Sequence, residues 1–393
     1  MTKPSSSYIL WLPSWYPNKL APFDGDFIQR HAKAVSLYSN VHVVFVRSDE
    51  EGKVTNLITE SFTQNGSLTE NVIYFKKGTS FFGRINSFRK WIKLSKKAIK
   101  RYIKENGKPE LVHVHIALRA GIIAKWVKRK WGIDYVITEQ WGGYLPEAEE
   151  KLSDLPGYLQ MYWRRIMRNA AAVSVVSLYL GQCLNKILQH ISFAVIPNVV
   201  DTSIFKPVDS GYNEIASFIH ISLLNYQKNV ADIVRSLSIL KKENQNFRLM
   251  IFGPANNDLI KLVHDLNLEE EVRFHVEVPQ DELAKFVQQA DALILFSRYE
   301  TFGCVIIEAL ACGKPVILSN LPVMHENAKE GFNAVFAENE NPSDLAEKIK
   351  WFIENRTKFN AAEIANDAAL RYNYSKVGKE FTNWYKQTIQ TLS

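Results

Sequence analysis

The stretch that decides the fold runs from residue 296 to residue 317 and reads FSRYETFGCVIIEALACGKPVI. An apolar run precedes it, a polar loop opens it, and an apolar helical segment follows, beginning near Thr301 and stopping at Gly313. Glycine just past the last turn commonly ends a helix, and the β-branched run that comes next has the composition of a buried strand. The stretch therefore predicts strand, loop, helix and strand in succession, as in a parallel sheet covered by helices.

The start of this helix carries candidate binding groups. Unpaired backbone amides of residues 302–305 would point from the helix N-terminus, where an anion such as a diphosphate can bind, and Gly303 would let a ligand come close. Glu308 lies two turns further on and could accept hydrogen bonds from ribose hydroxyls, while Glu300 precedes the helix and could reach a sugar hydroxyl. On helix position alone, a solvated or structural role for both glutamates is the simpler interpretation.

Outward from this stretch, the same alternation of strands and helices fills both halves of the chain. The strand-like runs lie at 8–12, 41–46, 111–115, 135–138 and 172–176, and then near 217–222, 247–252, 271–276, 291–296, 315–318 and 333–336. Helical periodicity fills most of the intervals, and the polar segment 50–75 predicts an excursion with a short hairpin. The periodicity stops at 196–210, where Pro-Asn and Ser-Gly steps predict a crossing between domains.

The predicted fold class is therefore α/β, with two doubly wound Rossmann-like domains facing a central cleft. We expect domains at 1–200 and 201–373, and a closing helix at 374–393 that packs back on the first domain. The candidate packing residues of this helix are Phe381, Trp384 and Tyr385. Ligands of such sheets bind outside the carboxyl ends of the strands, so both domains would present that edge to the cleft.

Composition excludes several classes of protein. The chain has 393 residues, of which 46% are hydrophobic and 23% charged, which rules out a disordered, collagen-like or disulfide-stapled protein. Three cysteines suit a reducing cytosol. The N-terminal residues lack the apolar core of a signal peptide, and no run of about 18 apolar residues occurs. We therefore expect a cytoplasmic protein.

Charge is divided unevenly between the halves. Residues 1–200 carry 28 Lys and Arg against 15 Asp and Glu, whereas residues 201–393 carry 20 against 26. The segment 81–104 alone holds nine basic residues and no acidic one. On a helical wheel, Phe88, Trp91, Ile92, Ser95, Ile99 and Tyr102 share a face. The basic residues largely around that face are Arg89, Lys93, Lys96, Lys97 and Lys100.

This basic, amphipathic pattern predicts a helix that contacts an anionic membrane, on the inner face of the plasma membrane. A core helix with a solvated basic back is the alternative interpretation. Nucleic acid is not an expected partner, because no recognised nucleic-acid-binding motif accompanies the basic stretch.

The stretch 296–317 resembles the signature of glycosyltransferase family 4, retaining enzymes of the GT-B fold. Two glutamates, Glu300 and Glu308, flank seven residues, with Thr-Phe-Gly after the first and Glu-Ala-Leu-Ala-Cys-Gly-Lys-Pro-Val at the second. Segments 195–207, 15–27 and 112–115 are similar to the family's linker, first loop and third strand. The resemblance covers nearly the whole chain, and the two predicted domains would then form a GT-B fold.

The resemblance implies roles for particular residues. The catalytic residues would be Glu300, Lys228 and Gln140. The residues holding a nucleotide-sugar donor would be Gly25, Lys228, Glu300, Thr301, Phe302, Gly303, Cys304 and Glu308. A cation at Lys228 would offset charge that develops on the leaving diphosphate. Independently, the aromatic residues Trp141 and Tyr144 could flank an acceptor or, equally, pack an inserted pair of helices.

Besides Val199, where the family usually has Gly, two departures from the family pattern bear on the site. Leu223 stands where an Arg is common, five residues before Lys228, so no guanidinium from that position can clamp the phosphates. Gln140 stands where a His is usual; glutamine forms hydrogen bonds but carries no charge. The first domain's side of the site is therefore altered.

The expected function is a retaining, hexosyltransferase-like glycosyltransferase for cell-surface polysaccharide synthesis. It would move a sugar from a nucleoside diphosphate, UDP- or GDP-linked, to a glycan or lipid-linked acceptor. We expect no cofactor and no metal. Asp24-Gly25-Asp26 lies too near the N-terminus, just after the first strand, in a chain whose other segments resemble GT-B enzymes, and the pair His113 and His115 has no third ligand at a matching spacing. A sugar-nucleotide epimerase of the same fold and a non-catalytic nucleotide-sugar-binding subunit remain open, the latter because of Leu223 and Gln140.

Overall fold

The computed structural model describes residues 7–50, 52–54, 58–78, 80–208, 211–212 and 214–392. Two sheets of mainly parallel strands, each packed with helices, confirm the predicted α/β class. The sheets lie in the first and second halves of the chain, and each has its own order of strands.

The first sheet has eight strands in the order β3-β4-β2-β1-β5-β6-β7-β8. They are β1 (Tyr8–Pro13), β2 (Asn40–Asp49), β3 (Ile58–Asn65), β4 (Leu68–Lys76), β5 (Leu111–His115), β6 (Tyr135–Glu139), β7 (Ala172–Val175) and β8 (Ala194–Val195). Among the strands of the described residues, only β3 and β4 pair antiparallel, and they form the hairpin predicted in segment 50–75. Residues 51 and 55–57 of that segment lie outside the described ranges. All residues of β1 are buried, as its apolar run requires of a strand covered on both faces.

The second sheet has six parallel strands in the order β11-β10-β9-β12-β13-β14. They are β9 (Ala216–Ile221), β10 (Phe247–Phe252), β11 (Val272–His275), β12 (Ala292–Leu295), β13 (Val316–Ser319) and β14 (Ala334–Ala337). The chain order reverses between β9 and β12, and in the first sheet between β1 and β5. Such switch points leave a crevice at the carboxyl ends of the two strands, where ligands of this fold class bind.

The helices of the described part of the chain cover both sheets. They are α1 (Asp26–Ser36), α2 (Phe81–Asn106), α3 (Ala117–Trp131), α4 (Gly157–Asn169), α5 (Leu178–Leu188), α6 (Val230–Lys242), α7 (Asn257–Asp265), α8 (Gln280–Gln289), α9 (Cys304–Ala311), α10 (Met324–Asn327), α11 (Pro342–Asn355), α12 (Ala361–Tyr372) and α13 (Tyr374–Leu392). Within the described ranges, none of these helices has the length and apolar character needed to cross a bilayer.

The C-terminal helix α13 lies against α1 of the first domain. Phe381 and Tyr385 are buried there, and Gly378 allows the close approach, because a Cβ at this position would lie 2.2 Å from the carbonyl oxygen of Ala34. The chain thus crosses between the domains twice. The two crossings touch, since the Val200 amide donates to the Tyr372 carbonyl at 3.0 Å.

Helix α2 buries its apolar side against the first sheet and exposes its basic side. Leu94, Ser95, Ala98 and Ile99 are buried, whereas Phe88, on the predicted membrane face, is 46% exposed. The basic residues Arg89, Lys93, Lys97 and Lys100 are exposed, while Lys96 is half-buried with its Nζ 5.1 Å from the Trp126 ring centre. The structure therefore favours the core-helix interpretation of the apolar face, and a membrane contact through the basic residues stays a prediction.

Candidate active site

A cleft of about 1160 Å³ lies between the two domains, at the carboxyl ends of their strands. The first domain contributes the loop after β1, the start of α1 and the loop after β6. The second contributes the loops after β9, β11 and β12 and the start of α9. The cleft is therefore where the two switch points of the sheets face each other.

Glu300 and Lys228 form an ion pair on the wall supplied by the second domain. Glu300 follows β12 and is 4% exposed, and its Oε1 also accepts a hydrogen bond from Ser297 Oγ at 2.9 Å. Lys228 ends a short helical turn after β9, so neighbouring strands bring the two side chains together. Gln227 Nε2 adds hydrogen bonds to the Tyr299 carbonyl at 3.0 Å and to Glu300 Oε2 at 3.4 Å. This network fixes a carboxylate and an ammonium group beside the cleft.

Helix α9 begins at Cys304, so the prediction of a start near Thr301 is wrong. Gly303 adopts φ +82°, outside the helical region, and the two carbonyls before it accept hydrogen bonds from other elements. Ser177 Oγ donates to Thr301 O and Asn327 Nδ2 to Phe302 O, both at 2.7 Å. The first amides of α9 have no partner within the helix, and Gly303 and Cys304 line the cleft, so an anion can approach them.

The cysteine at the start of α9 is a packing residue. Burial raises the pKa of the Cys304 thiol to about 12. A neutral thiol is a poor nucleophile. Cys304 therefore lines the site without offering covalent chemistry.

Gly25 lies in the same cleft and belongs to the first domain. It precedes α1 with φ +68°, and a Cβ there would lie 2.6 Å from the carbonyl carbon of Trp15. Only glycine satisfies both conditions. The backbone of the first domain can therefore approach a ligand bound at α9.

Glu308, one turn into α9, pairs with Arg30 of the first domain. Arg30 Nη1 is 2.6 Å from Glu308 Oε1, and Nη2 is 3.2 Å from Asp26 Oδ2. Both partners of the cross-domain pair line the cleft and are almost fully buried. Removing Arg30 would leave Glu308 without its cation in a buried position, whereas Arg30 without Glu308 would keep Asp26 as an ion-pair partner.

Two family models match this chain in succession. The model for Glycosyltransferase Family 4 matches residues 40–204, and that for Glycosyl transferases group 1 matches residues 210–370. The chain belongs to glycosyltransferase family 4. An uncharacterized glycosyltransferase of Methanocaldococcus jannaschii is 25% identical over 352 residues, which cover 88% of this chain and 86% of that protein.

Solved GT-B structures share the fold of this glycosyltransferase over nearly its whole length. Sucrose-phosphate synthase from Thermosynechococcus elongatus superposes with a TM-score of 0.79 at 16% identity, covering 98% of this chain and 100% of that one. HepE of Anabaena, solved with UDP and glucose, gives 0.74 at 16% identity, covering 97% and 99%. The predicted GT-B architecture is confirmed.

The two departures from the family pattern both face the cleft of this glycosyltransferase. Leu223 is 62% exposed and lines the cleft where a guanidinium would otherwise lie. Gln140 follows β6 and is 6% exposed, and its buried Nε2 has no hydrogen-bond partner among the described residues. An unsatisfied amide donor next to a cleft can bind an acceptor atom of a ligand.

The two predicted acceptor contacts of the glycosyltransferase have different positions. Trp141 lines the cleft, as does the adjacent Gly142. Tyr144 is 4% exposed and does not line it; its hydroxyl accepts a hydrogen bond from Trp163 Nε1 at 3.0 Å. Its ring packs edge-on against Trp141, with ring centres 5.2 Å apart. The prediction that Tyr144 contacts an acceptor directly is therefore wrong. Tyr144 instead packs against Trp141 and supports its position in the cleft.

The histidines of β5 are packing residues of the first domain. His113 and His115 are fully buried, and their ring centres are 4.0 Å apart beneath α13. Among the described residues, no three His, Cys, Asp or Glu side chains come together as metal ligands would.

Sequence reasoning missed the residues of the first domain that reach the second. Arg30 is one, and Asp26 is another, since Gln280 Nε2 of α8 donates to its Oδ2 at 2.9 Å. An isolated Arg in an amphipathic helix has no sequence signal that separates it from a solvated surface charge. The partner of such an Arg can be identified only from the structure, in which the two domains face each other.

Proposed function

We propose that this chain is a retaining glycosyltransferase that moves a hexosyl group from a UDP- or GDP-linked sugar to a glycan or lipid-linked acceptor. The observation that carries the proposal is the Glu300–Lys228 ion pair beside the free amides of α9, inside the cleft between two domains. The binding of UDP and glucose by HepE, which shares the fold, supports a nucleotide-sugar donor.

In the proposed donor complex, the diphosphate lies against the first amides of α9 and the Nζ of Lys228. Gly25 approaches it from the first domain, and Glu308 accepts hydrogen bonds from the ribose. Fixed dipoles and charges of this kind stabilise the charge that develops on a leaving group. The nucleotide is then positioned with its sugar toward the loop after β6.

The proposed transfer retains the anomeric configuration. The acceptor oxygen forms a bond to the anomeric carbon on the same face from which the phosphate oxygen leaves. The leaving phosphate oxygen takes the proton of the acceptor hydroxyl. The chain supplies positioning and charge stabilisation: Lys228 balances the diphosphate, Glu300 orients Lys228 and the sugar, and the Nε2 of Gln140 binds a ligand oxygen. Trp141 offers an aromatic surface to the acceptor sugar.

A panel of nucleotide sugars tests the donor site. Binding at a ligand concentration 100 times the Kd should stabilise the protein by about 2.7 kcal/mol, measured as a thermal shift with UDP-, GDP-, ADP- and CMP-sugars. Glu308→Ala should abolish the shift, whereas Glu347→Ala, an exposed change on α11, should keep it. Absence of a shift with every donor, or a shift that Glu308→Ala leaves intact, would overturn the proposed site.

Incubation with the donor alone tests the type of reaction. A transferase should leave the sugar configuration of its donor unchanged, and should transfer the sugar when acceptor extract is added. The rate should be insensitive to EDTA, because the proposed charge stabilisation comes from Lys228 and backbone amides. Conversion of the donor to an epimer, or binding without hydrolysis or transfer, would contradict the transferase proposal.

We further propose a cytosolic, peripheral position on the membrane and a role in polysaccharide synthesis. Because α2 buries its apolar side, the attraction would be electrostatic, with each Lys or Arg near the surface contributing about 1 kcal/mol. Lys93→Glu/Lys97→Glu should weaken flotation with anionic liposomes. Lys261→Glu/Lys285→Glu makes the same charge change at exposed sites of the second domain and should not. Unchanged flotation of the α2 variant would reject this surface.

A further inference from the structure

One ion pair crosses the cleft from α1 of the first domain to α9 of the second. Arg30 and Glu308 lie 278 positions apart in the sequence, so their contact forms only where the domains meet. Arg30 is 4% exposed and Glu308 3%. Taking two ions out of water costs free energy. A buried ion pair in the wall of the proposed donor site therefore points to a role in that site.

The pair leaves one oxygen of the Glu308 carboxylate unused. Oε1 accepts the hydrogen bond from Arg30 Nη1 at 2.6 Å. Among the described side chains, Arg30 is the hydrogen-bond donor to this carboxylate, and it uses Oε1. Glu308 lines the cleft, so Oε2 can accept from a ligand hydroxyl while Oε1 stays with Arg30.

The charge of Arg30 also acts on the protonation of Glu308. Burial, the largest cause, raises the pKa of this carboxyl above its ordinary value, Arg30 opposes that rise, and Asp26 adds to it. Burial keeps the thiols of Cys304 and Cys312 neutral, because it raises the pKa of each to about 12. Further ionisable groups also face this region: Glu300 acts on Cys304, Lys314 acts on Cys312, and Tyr374 lies near Arg30 and Asp26. Arg30 is thus the cation that favours the ionised form of Glu308, the form that accepts hydrogen bonds best.

We propose that Arg30 is a positioning residue of the donor site, supplied by the opposite domain. Its guanidinium holds Oε1 at 2.6 Å and favours the carboxylate form of Glu308, which leaves Oε2 for the donor ribose. This inference rests on the proposed function, in which Glu308 binds the ribose. Tight donor binding then requires contact between the domains, since Arg30 reaches Glu308 only across the cleft.

The test is calorimetric titration with UDP or GDP, whichever stabilises the wild type, between pH 6.5 and 8.5. Arg30→Met should weaken binding roughly ten- to a hundred-fold at neutral pH. The ratio of its Kd to the wild-type Kd should fall as the pH rises, because Glu308 ionises again. Arg30→Lys keeps a cation and should recover most of the affinity, and Lys33→Met, exposed on the same helix, should bind like the wild type.

A double mutant separates positioning from a merely structural role. In a Glu308→Gln background, Arg30→Met should cost much less affinity than it does alone, and the pH dependence of the Kd ratio should vanish. Equal losses in both backgrounds, or a pH-independent ratio for Arg30→Met, would overturn the inference. If Arg30→Met does not fold, the comparison uses Arg30→Lys and Glu308→Gln. A Kd of Arg30→Lys that differs from the wild-type Kd as much as the Kd of Glu308→Gln does would also overturn the inference. A wild type that binds neither nucleotide would instead refute the proposed function.

Discussion

At the scale of single residues, the two buried carboxylates of the cleft are each paired with a cation from a different part of the chain. Lys228, from the same domain, pairs with Glu300, whereas Arg30, from the other domain, pairs with Glu308. The first pair depends on the local geometry of neighbouring strands. The second depends on how the domains are placed, so the two carboxylates respond differently to domain motion.

Lys228→Met removes the cation that we place on the leaving diphosphate. Loss of one positioned charge donor should lower kcat by roughly 10²- to 10³-fold, because stabilisation of the developing charge is lost. The measurement is the release of nucleoside diphosphate from the donor that gives the largest thermal shift. Lys242→Met, an exposed change on α6, serves as the control. A wild-type kcat for Lys228→Met would contradict the assigned role.

How far the sequence predicts the site differs from residue to residue. The approach of Lys228 to Glu300 follows from the family resemblance and from the order of β9 and β12. The start of α9 is misplaced by three residues because Ser177 and Asn327, distant in the sequence, hold the Thr301 and Phe302 carbonyls. The role of Tyr144 is misassigned for a related reason. The sequence shows an aromatic residue near the site, but whether its side chain lies in the cleft or in the core depends on packing between distant segments.

At the scale of elements, α13 covers a group of buried histidines in the first domain. His31 lies on α1, and His113 and His115 on β5. The hydroxyl of Tyr385 on α13 is 2.6 Å from His113 Nδ1, and the ring of Phe381 is 4.9 Å from that of His31 between centres. Burial favours neutral imidazoles here, and no carboxylate lies among the partners of these three described side chains.

Acid should therefore destabilise the first domain. Burial lowers the pKa of His31 to about 3, with Arg30 adding to the effect, and lowers that of His113 and His115 well below 6.5. The unfolded chain binds protons below pH 6.5 that the folded chain does not, so stability is complete above that pH and falls on acidification. Each histidine should cost about 1.4 kcal/mol at pH 5.5.

Urea unfolding followed by tryptophan fluorescence at pH 7.5 and 5.5 measures this loss. His115→Leu should shrink the difference in unfolding free energy between the two pH values by about 1.4 kcal/mol. Lys33→Met, an exposed change on α1, alters no histidine and should leave the difference as it is. An equal pH dependence in His115→Leu and the wild type would show that the cluster does not titrate on unfolding.

At the scale of the whole molecule, the domains are joined by two touching chain crossings and by contacts on either side of the cleft. One contact involves Glu326 of α10, whose carboxylate accepts hydrogen bonds from the first amides of α5, Leu178 N at 2.6 Å and Tyr179 N at 2.8 Å. A carboxylate at a helix N-terminus is favourable both as a cap and through the helix dipole. Glu326 thus fastens the second domain to the first.

Glu326→Ala should loosen this contact at a cost of about 1 to 2 kcal/mol. We expect a larger radius of gyration in small-angle X-ray scattering and roughly five- to thirty-fold weaker binding of the nucleoside diphosphate, because both walls of the site must meet. Glu347→Ala supplies the control. Identical scattering and affinity in Glu326→Ala and the wild type would exclude a role in holding the domains together.

The architecture of the whole molecule follows from the sequence more readily than its cross-domain contacts do. Alternating apolar runs and helical periodicity predict both sheets, because the residue pattern of each strand and helix shows which of its faces is buried. The pairs Arg30–Glu308 and Asp26–Gln280 join residues hundreds of positions apart. No local pattern encodes them, since they depend on the angle at which two finished domains face each other.

The return of α13 to the first domain has a consequence for the order in which the protein is made. Its contact surface on α1 and β5 emerges from the ribosome early, but α13 begins at Tyr374, long after β8 ends at Val195. At a synthesis rate of about 5–20 residues per second, that interval lasts roughly 10 to 40 s. Throughout it, the nascent first domain displays an apolar surface that its own chain has not yet covered, and the second domain completes its core before the first.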